Sequence, residues 1–121
     1  MATRVLVADD NPIILDLFRE LVSSLEWDCH TVDNGLEALR MVEEAPPNLL
    51  VSDINMPGMN GLELVRSIRG TSQSSHIPII LMSSGALREE AMTAGCDAYL
   101  EKPFNVEEVL QLMRQLAGEA K

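Results

Sequence analysis

The chain has 121 residues, 46% hydrophobic and 23% charged, which suits one hydrophobic core and is too little for two. That balance excludes wholesale disorder, and no apolar run approaches the ~20 residues of a membrane span. Nineteen acidic residues against nine basic ones leave a formal charge of −10, which repels phosphate backbones and argues against direct nucleic-acid binding. The opening Met1-Ala2-Thr3-Arg4 runs straight into a strand-like segment, so no signal peptide is expected and the expected setting is the cytoplasm.

Val5-Leu6-Val7-Ala8 is a continuous apolar run, the pattern of a strand covered on both faces. Asn11-Pro12 then reads as an N-cap and a first helical residue. Ile13, Ile14, Leu17, Phe18, Leu21, Val22 and Leu25 follow at helical spacing. Asp28 to Asp33 mixes polar and apolar residues, as an edge strand does. Gly35 to Glu44 predicts a second helix with Leu36, Leu39 and Val42 inward, closed by Pro46-Pro47.

Leu49-Leu50-Val51 is a second apolar strand, ending at Ser52-Asp53. A turn-rich loop from Asn55 to Gly61 leads into a helix carrying Leu62, Val65 and Ile68. Ile77 to Met82 predicts a third buried strand, and Ala86 to Ala94 a short helix that stops at Gly95. Ala98-Tyr99-Leu100 is a brief edge strand. The last helix starts at Asn105 with Glu108 three residues on, a capping-box spacing, and carries Val106, Val109, Leu110, Met113 and Leu116 inward.

This alternation predicts an α/β fold, (βα)5, with a doubly wound parallel sheet and right-handed crossovers. The apolar strands (first, third, fourth) belong at the centre and the mixed ones at the edges. The flavodoxin-like order 2-1-3-4-5 satisfies both conditions. Four inter-strand steps then separate Cys29 from Cys96 by roughly 19 Å, against a Cα limit of about 7 Å for a bridge. No disulfide is expected, and the two cysteines form no metal-ligand pattern.

In an open parallel sheet, ligands bind at the carboxyl ends of the strands near the reversal of strand order. The residues there are Asp9-Asp10, Asp53, Ser83-Ser84 and Lys102-Pro103. Three aspartates do not crowd together as free anions unless a cation shares the site. Oxygen-only ligands of this kind suit Mg²⁺. Lys102 is the only lysine besides Lys121, and with a metal it would neutralise an incoming phosphoryl group while a carboxylate acts as nucleophile. Ser83 would donate a hydrogen bond to a phosphoryl oxygen. Taken singly, these residues also read as strand-end aspartates and a surface lysine. Their joint placement is what points to a site.

At these residues the sequence resembles the receiver domain of two-component response regulators, over essentially the whole chain. The marks are Asp9-Asp10, the stretch from Asp53 to Leu64, Ser83 after Pro78-Ile79-Ile80-Leu81-Met82, and Lys102-Pro103-Phe104. The resemblance implies that Asp53 accepts a phosphoryl group from a phosphohistidine on a histidine kinase or phosphotransfer protein. It implies Mg²⁺ bound by Asp10 directly and by Asp9 through a water, with Asp53 and the Asn55 carbonyl completing the protein ligands. Lys102 would pair with the phosphoryl oxygens, Ser83 would turn toward them, and Tyr99 would be the switch aromatic. Read without the resemblance, Tyr99 is an edge-strand tyrosine with its hydroxyl in water. The resemblance also implies a cis bond between Lys102 and Pro103. Ser83 occupies the family's hydroxyl position, where threonine is more frequent, and Ser84 the small position after it.

The expected unit is a single receiver domain over 1–121, a phosphorylation switch with no turnover of an external substrate. Its partners would be the phosphohistidine donor and a downstream effector protein or an output domain not in the chain, with no membrane. A haloacid-dehalogenase-like phosphohydrolase would need a carboxylate at Asn55, two residues after the nucleophile. A flavin or nucleotide binder would need a Gly- or Ser/Thr-rich loop where Asp9-Asp10-Asn11-Pro12 stands. A phosphorylation-independent scaffold would not need the complete residue set. One departure from the family lies between Ser83 and Lys102, about three residues shorter than usual, nearly one helical turn. A fourth helix confined to Ala86–Ala94 is marginal without tertiary support. It is therefore expected to be mobile or partly unwound, ordered on phosphorylation, and unsuited to the family's symmetric dimer face.

Overall fold

Among the described residues, strands and helices alternate. They run β1 (Arg4–Ala8), α1 (Pro12–Ser24), β2 (Asp28–Val32), α2 (Gly35–Glu44) and β3 (Leu49–Asp53). They continue with α3 (Gly61–Arg69), β4 (Ile79–Ser83), α4 (Arg88–Ala94), β5 (Ala98–Glu101) and α5 (Val106–Leu116). The computed structural model describes residues 3–118. Met1, Ala2 and residues 119–121 lie outside the described residues. The sheet is parallel throughout, with order β2-β1-β3-β4-β5. No helix among the described residues is long and apolar enough to cross a membrane.

Alternation along the central strands divides the core into two layers. Val5, Val7, Leu49, Val51, Ile80 and Met82 point toward α1 and α5, where Phe18, Val22, Val109 and Met113 meet them. Leu6, Ala8, Leu50, Ile79 and Leu81 point the other way, under α2, α3 and α4. Each fully buried Val, Leu or Ile stabilises the fold by roughly 1.5–3 kcal/mol, so covering both faces requires the helices on both sides. Cys29 lies in one edge strand and Cys96 just before the other, and both are free.

Several helix faces differ from the sequence expectation. Leu36 is 59% exposed and Val106 40% exposed, while Ala38 and Leu64 take buried positions that the periodicity did not assign. Leu36, Leu62, Val106 and the 74% exposed Ile13 all sit in the first turn of a helix. In a βα unit that turn overhangs the carboxyl end of the sheet, where no strand lies beneath it. Asparagine caps four helices, through Asn11, Asn34, Asn60 and Asn105. The reciprocal capping box forms at Asn60 and Glu63, with the Asn60 N–H donating to Glu63 Oε1 at 3.0 Å. At Asn105 only the Glu108 N–H to Asn105 half is made. Strand β4 starts at Ile79 rather than Ile77, because Pro78 has no N–H to give the ladder.

Helix α4 begins at Arg88, two residues later than expected, since Leu87 has φ −116° and ψ 25°. Tertiary support, which its small apolar face did not announce, comes from neighbouring elements. Ala91 and Ala94 are buried on the sheet, and Gly95 ends the helix at φ +113°. Arg69, the last residue of α3, donates from Nε to the Gly95 carbonyl at 2.9 Å. Its Nη1 reaches the carbonyls of Ser75 and Ile77 at 3.0 and 2.6 Å, and Nη2 reaches Asp97 at 2.9 Å. Asp97 Oδ2 also accepts from the Ile79 N–H at 2.8 Å.

One guanidinium thus ties α3, the segment before β4, and the turn into β5. Arg69→Ala should destabilise the fold by about 2–3 kcal/mol, since hydrogen bonds to charged groups contribute ~1.5–3 kcal/mol and three carbonyls lose their donor. Arg69→Lys should recover less than half of that, because an ammonium cannot span the same fork. Urea unfolding measures it, with the midpoint shifted at constant m. An unchanged midpoint for Arg69→Ala would contradict this role.

Candidate phosphoacceptor and metal site

The site is assembled where β1 and β3 end side by side. Parallel pairing sets Ala8 opposite Ser52, so the residues that follow, Asp9 and Asp53, emerge as neighbours. Asp9 is fully buried, Asp53 is 5% exposed and Asp10 faces solvent. One carboxylate oxygen from each of the three lies within 4.8 Å of the other two. From the end of β5, the Lys102 ammonium donates to Asp9 Oδ2 at 2.9 Å and lies 3.0 Å from Asp53 Oδ1. Asp9 Oδ1 accepts from the Asn11 N–H at 2.9 Å. The Lys102–Pro103 bond is cis, as the resemblance implies.

Three carboxylates and one ammonium leave negative charge in excess. Burial, foremost, raises the Asp53 carboxyl above its ordinary value, with help from the charges of Asp9 and Asp10; the Lys102 hydrogen bond pulls the other way. For Lys102, burial is the largest single influence and favours the neutral amine. The hydrogen bonds and charges of Asp9 and Asp53 together outweigh it, so its pKa lies above that of a free lysine. Hard oxygen donors on three sides match Mg²⁺, which takes one or two carboxylates and keeps waters. The donor set fits.

Backbone contacts hold the Asp53 end of β3. The Ile54 N–H donates to the Met82 carbonyl at 2.9 Å, and the Gly61 N–H to the Ile54 carbonyl at 2.8 Å. A Cβ at Gly61 would stand 2.5 Å from the Asp53 carbonyl oxygen, so only glycine lets α3 start this close. A Cβ at Gly35 would clash with the Met59 carbonyl oxygen, so glycine there brings α2 against the same loop. Ser52, fully buried, donates to the Asp53 carbonyl at 2.9 Å. Sequence reading passed over Ser52; its one signal is a hydroxyl inside an otherwise apolar strand.

The remaining expected residues come to the same end of the sheet. Ser83 is fully buried at the end of β4, and its Oγ accepts from the Gly85 N–H at 2.9 Å, whereas Ser84 is exposed. Tyr99 is 5% exposed, and its hydroxyl is inside the protein, donating to the Gly85 carbonyl at 2.6 Å. That replaces the reading of a tyrosine with its hydroxyl in water. Asn55 lies exposed on the loop after Asp53.

A family model of the response regulator receiver domain matches residues 5–114. The polar-differentiation response regulator DivK of Brucella anthropi is 31% identical over 99% of this chain and 100% of its own length. The receiver domain of sensor histidine kinase PA1611 from Pseudomonas aeruginosa, solved with a magnesium ion in its active site cleft, superposes with a TM-score of 0.90. It is 25% identical, over 98% of this chain and all of that one. Chemotaxis response regulator CheY4 of Vibrio cholerae gives a TM-score of 0.89 at 28% identity, over 96% of this chain and 99% of that one. With fold, acidic cluster and family match in agreement, the chain belongs to the receiver domains of the response regulator family.

Proposed function

We propose that Asp53 is the phosphoacceptor of this receiver domain, loaded from a phosphohistidine on a histidine kinase or phosphotransfer protein in the cytoplasm. The observation that carries this reading is the convergence of Asp9, Asp10 and Asp53, with Lys102 against two of them. In the transfer, an Asp53 carboxylate oxygen bonds to phosphorus as the P–N bond breaks. The imidazole leaves with the electron pair of that bond and takes up a proton. Hydrolysis of the acyl phosphate returns the Asp53 carboxylate and inorganic phosphate. The chain turns over no other substrate.

Asp10 and Asp53 would hold Mg²⁺ directly and Asp9 through a water, with the Asn55 carbonyl completing the protein ligands. The bound ion supplies neutralisation of charge on the transferring group. Lys102, already 3.0 Å from Asp53, follows the charge onto a phosphoryl oxygen. Ser83 Oγ accepts from Gly85, which leaves its own proton to donate to the phosphoryl group. Tyr99 links that change to the surface of α4, β5 and α5, where a downstream effector or an output domain would read it. Asn55, with no exchangeable proton of suitable pKa, leaves the haloacid-dehalogenase-like alternative without its general acid.

Acetyl phosphate with Mg²⁺ should add one phosphate to the wild-type chain, and Asp53→Asn should abolish the addition. Chelating the metal should stop it as well. Mass spectrometry of the intact chain reads all three, and robust labelling of Asp53→Asn at another residue would sink the assignment. The metal site can be checked without phosphoryl transfer. A ligand bound only by the folded state at ~100 times its Kd stabilises by about 2.7 kcal/mol. Mg²⁺ should therefore raise the Tm of the wild type, and Asp10→Asn should remove most of the rise. A Tm indifferent to Mg²⁺ in the wild type would count against the site.

A further inference from the structure

Helix α4 starts without a side-chain cap, because Leu87, the residue ahead of it, offers no acceptor to the first turn. The first amides of a helix need partners from elsewhere. Here the sheet supplies one. The Tyr99 hydroxyl accepts from the Leu87 N–H at 3.2 Å while donating to the Gly85 carbonyl at 2.6 Å. With the Gly85 N–H on Ser83 Oγ at 2.9 Å, these four residues form one hydrogen-bonded unit. Arg88 closes it from outside, its guanidinium carbon 5.1 Å from the centroid of the Tyr99 ring.

Two features set Arg88 apart. It opens α4, and a cation at that position opposes the helix dipole, so Arg88 does nothing for the helix as such. Its guanidinium also lies over an aromatic ring, where those of Arg19, Arg40 and Arg69 meet carboxylates and that of Arg4 meets backbone carbonyls. A planar guanidinium stacks on an aromatic face in a way an ammonium does not.

We propose that Arg88 is a positioning residue that holds the Tyr99 ring inward and, through the Tyr99 hydroxyl, presets the loop next to Ser83. The functional meaning of this latch rests on the reading of Ser83 and Tyr99 given above; its existence does not. For the ring to leave, the two hydrogen bonds and the guanidinium contact must be given up together. A cation–π contact at an exposed position shifts such an equilibrium about two- to fivefold.

The test is amide hydrogen exchange at Leu87 in the full, unphosphorylated chain without Mg²⁺. Arg88→Gln should speed exchange of the Leu87 N–H about two- to fivefold, in proportion to the open population, and Arg88→Lys should recover only part of the protection. Incorporated 3-fluorotyrosine reports the one tyrosine of the chain, and its ¹⁹F resonance should move toward a solvent-exposed position in Arg88→Gln. In a Tyr99→Phe background the ring remains but the hydroxyl that reaches Leu87 is gone. There Arg88→Gln should leave Leu87 exchange unaltered. Unchanged Leu87 exchange on Arg88→Gln alone, or equal acceleration with and without the hydroxyl, would overturn the proposal. Acetyl phosphate labelling of the same preparations separates the two questions: absent labelling of the wild type defeats the phosphoacceptor reading, while the exchange result judges the latch.

Discussion

Three carboxylates at the end of one sheet carry a repulsion that the chain relieves only in part. Two like charges about 4 Å apart repel by about 4 kcal/mol at an effective dielectric near 20. Lys102 lies against Asp9 and Asp53 and leaves Asp10 facing solvent. Asp9 is fully buried, so it depends on that ammonium and on the Asn11 amide for its charge to be tolerated. Burial, with the charges of Asp9 and Asp10 behind it, raises the Asp53 carboxyl, while Asp9 and Asp53 hold the Lys102 amine above its ordinary value against its burial. A divalent cation held by these carboxylates would remove the excess.

The fold makes that crowding possible by fixing backbone before side chains. Register between β1 and β3 puts the two acidic segments side by side. Beyond Asp53 the chain turns through a loop on which α2 and α3 both close, at Gly35 and Gly61. Neither position has room for a Cβ. The loop is therefore hemmed in by backbone on two sides, and Asp53 is presented from a closely packed end.

Much of this is legible in the sequence because it is local. Apolar strands, mixed edge strands and the residues at strand ends follow from runs and spacing, and they give the order and the acidic cluster directly. Periodicity misplaces the first-turn faces at Leu36 and Val106, since it does not say where the sheet beneath a helix stops. The capping box appeared at Asn60 rather than at Asn105, although both have glutamate three residues on. Spacing alone does not decide whether the glutamate turns back. Other contacts have no local trace at all: Arg69 reaches Gly95 across 26 residues, and the Tyr99 hydroxyl reaches Leu87 across 12. Arg88 and Ser52 escaped for the same reason, their partners being set by the tertiary fold.

The long-range contacts explain how a seven-residue helix stands on so small an apolar face. Helix α4 is held from both ends by side chains of other elements, and the two attachments differ in kind. At the carboxyl end, Arg69 makes charged hydrogen bonds in a part-buried fork, the stronger class at ~1.5–3 kcal/mol each. At the amino end, Tyr99 makes neutral ones, ~0.5–1.5 kcal/mol each, under an exposed arginine. The weaker attachment is the one beside Ser83. A change in the hydrogen bonding of Ser83 therefore bears on the end of α4 that yields most easily, while Arg69 keeps the other end in place.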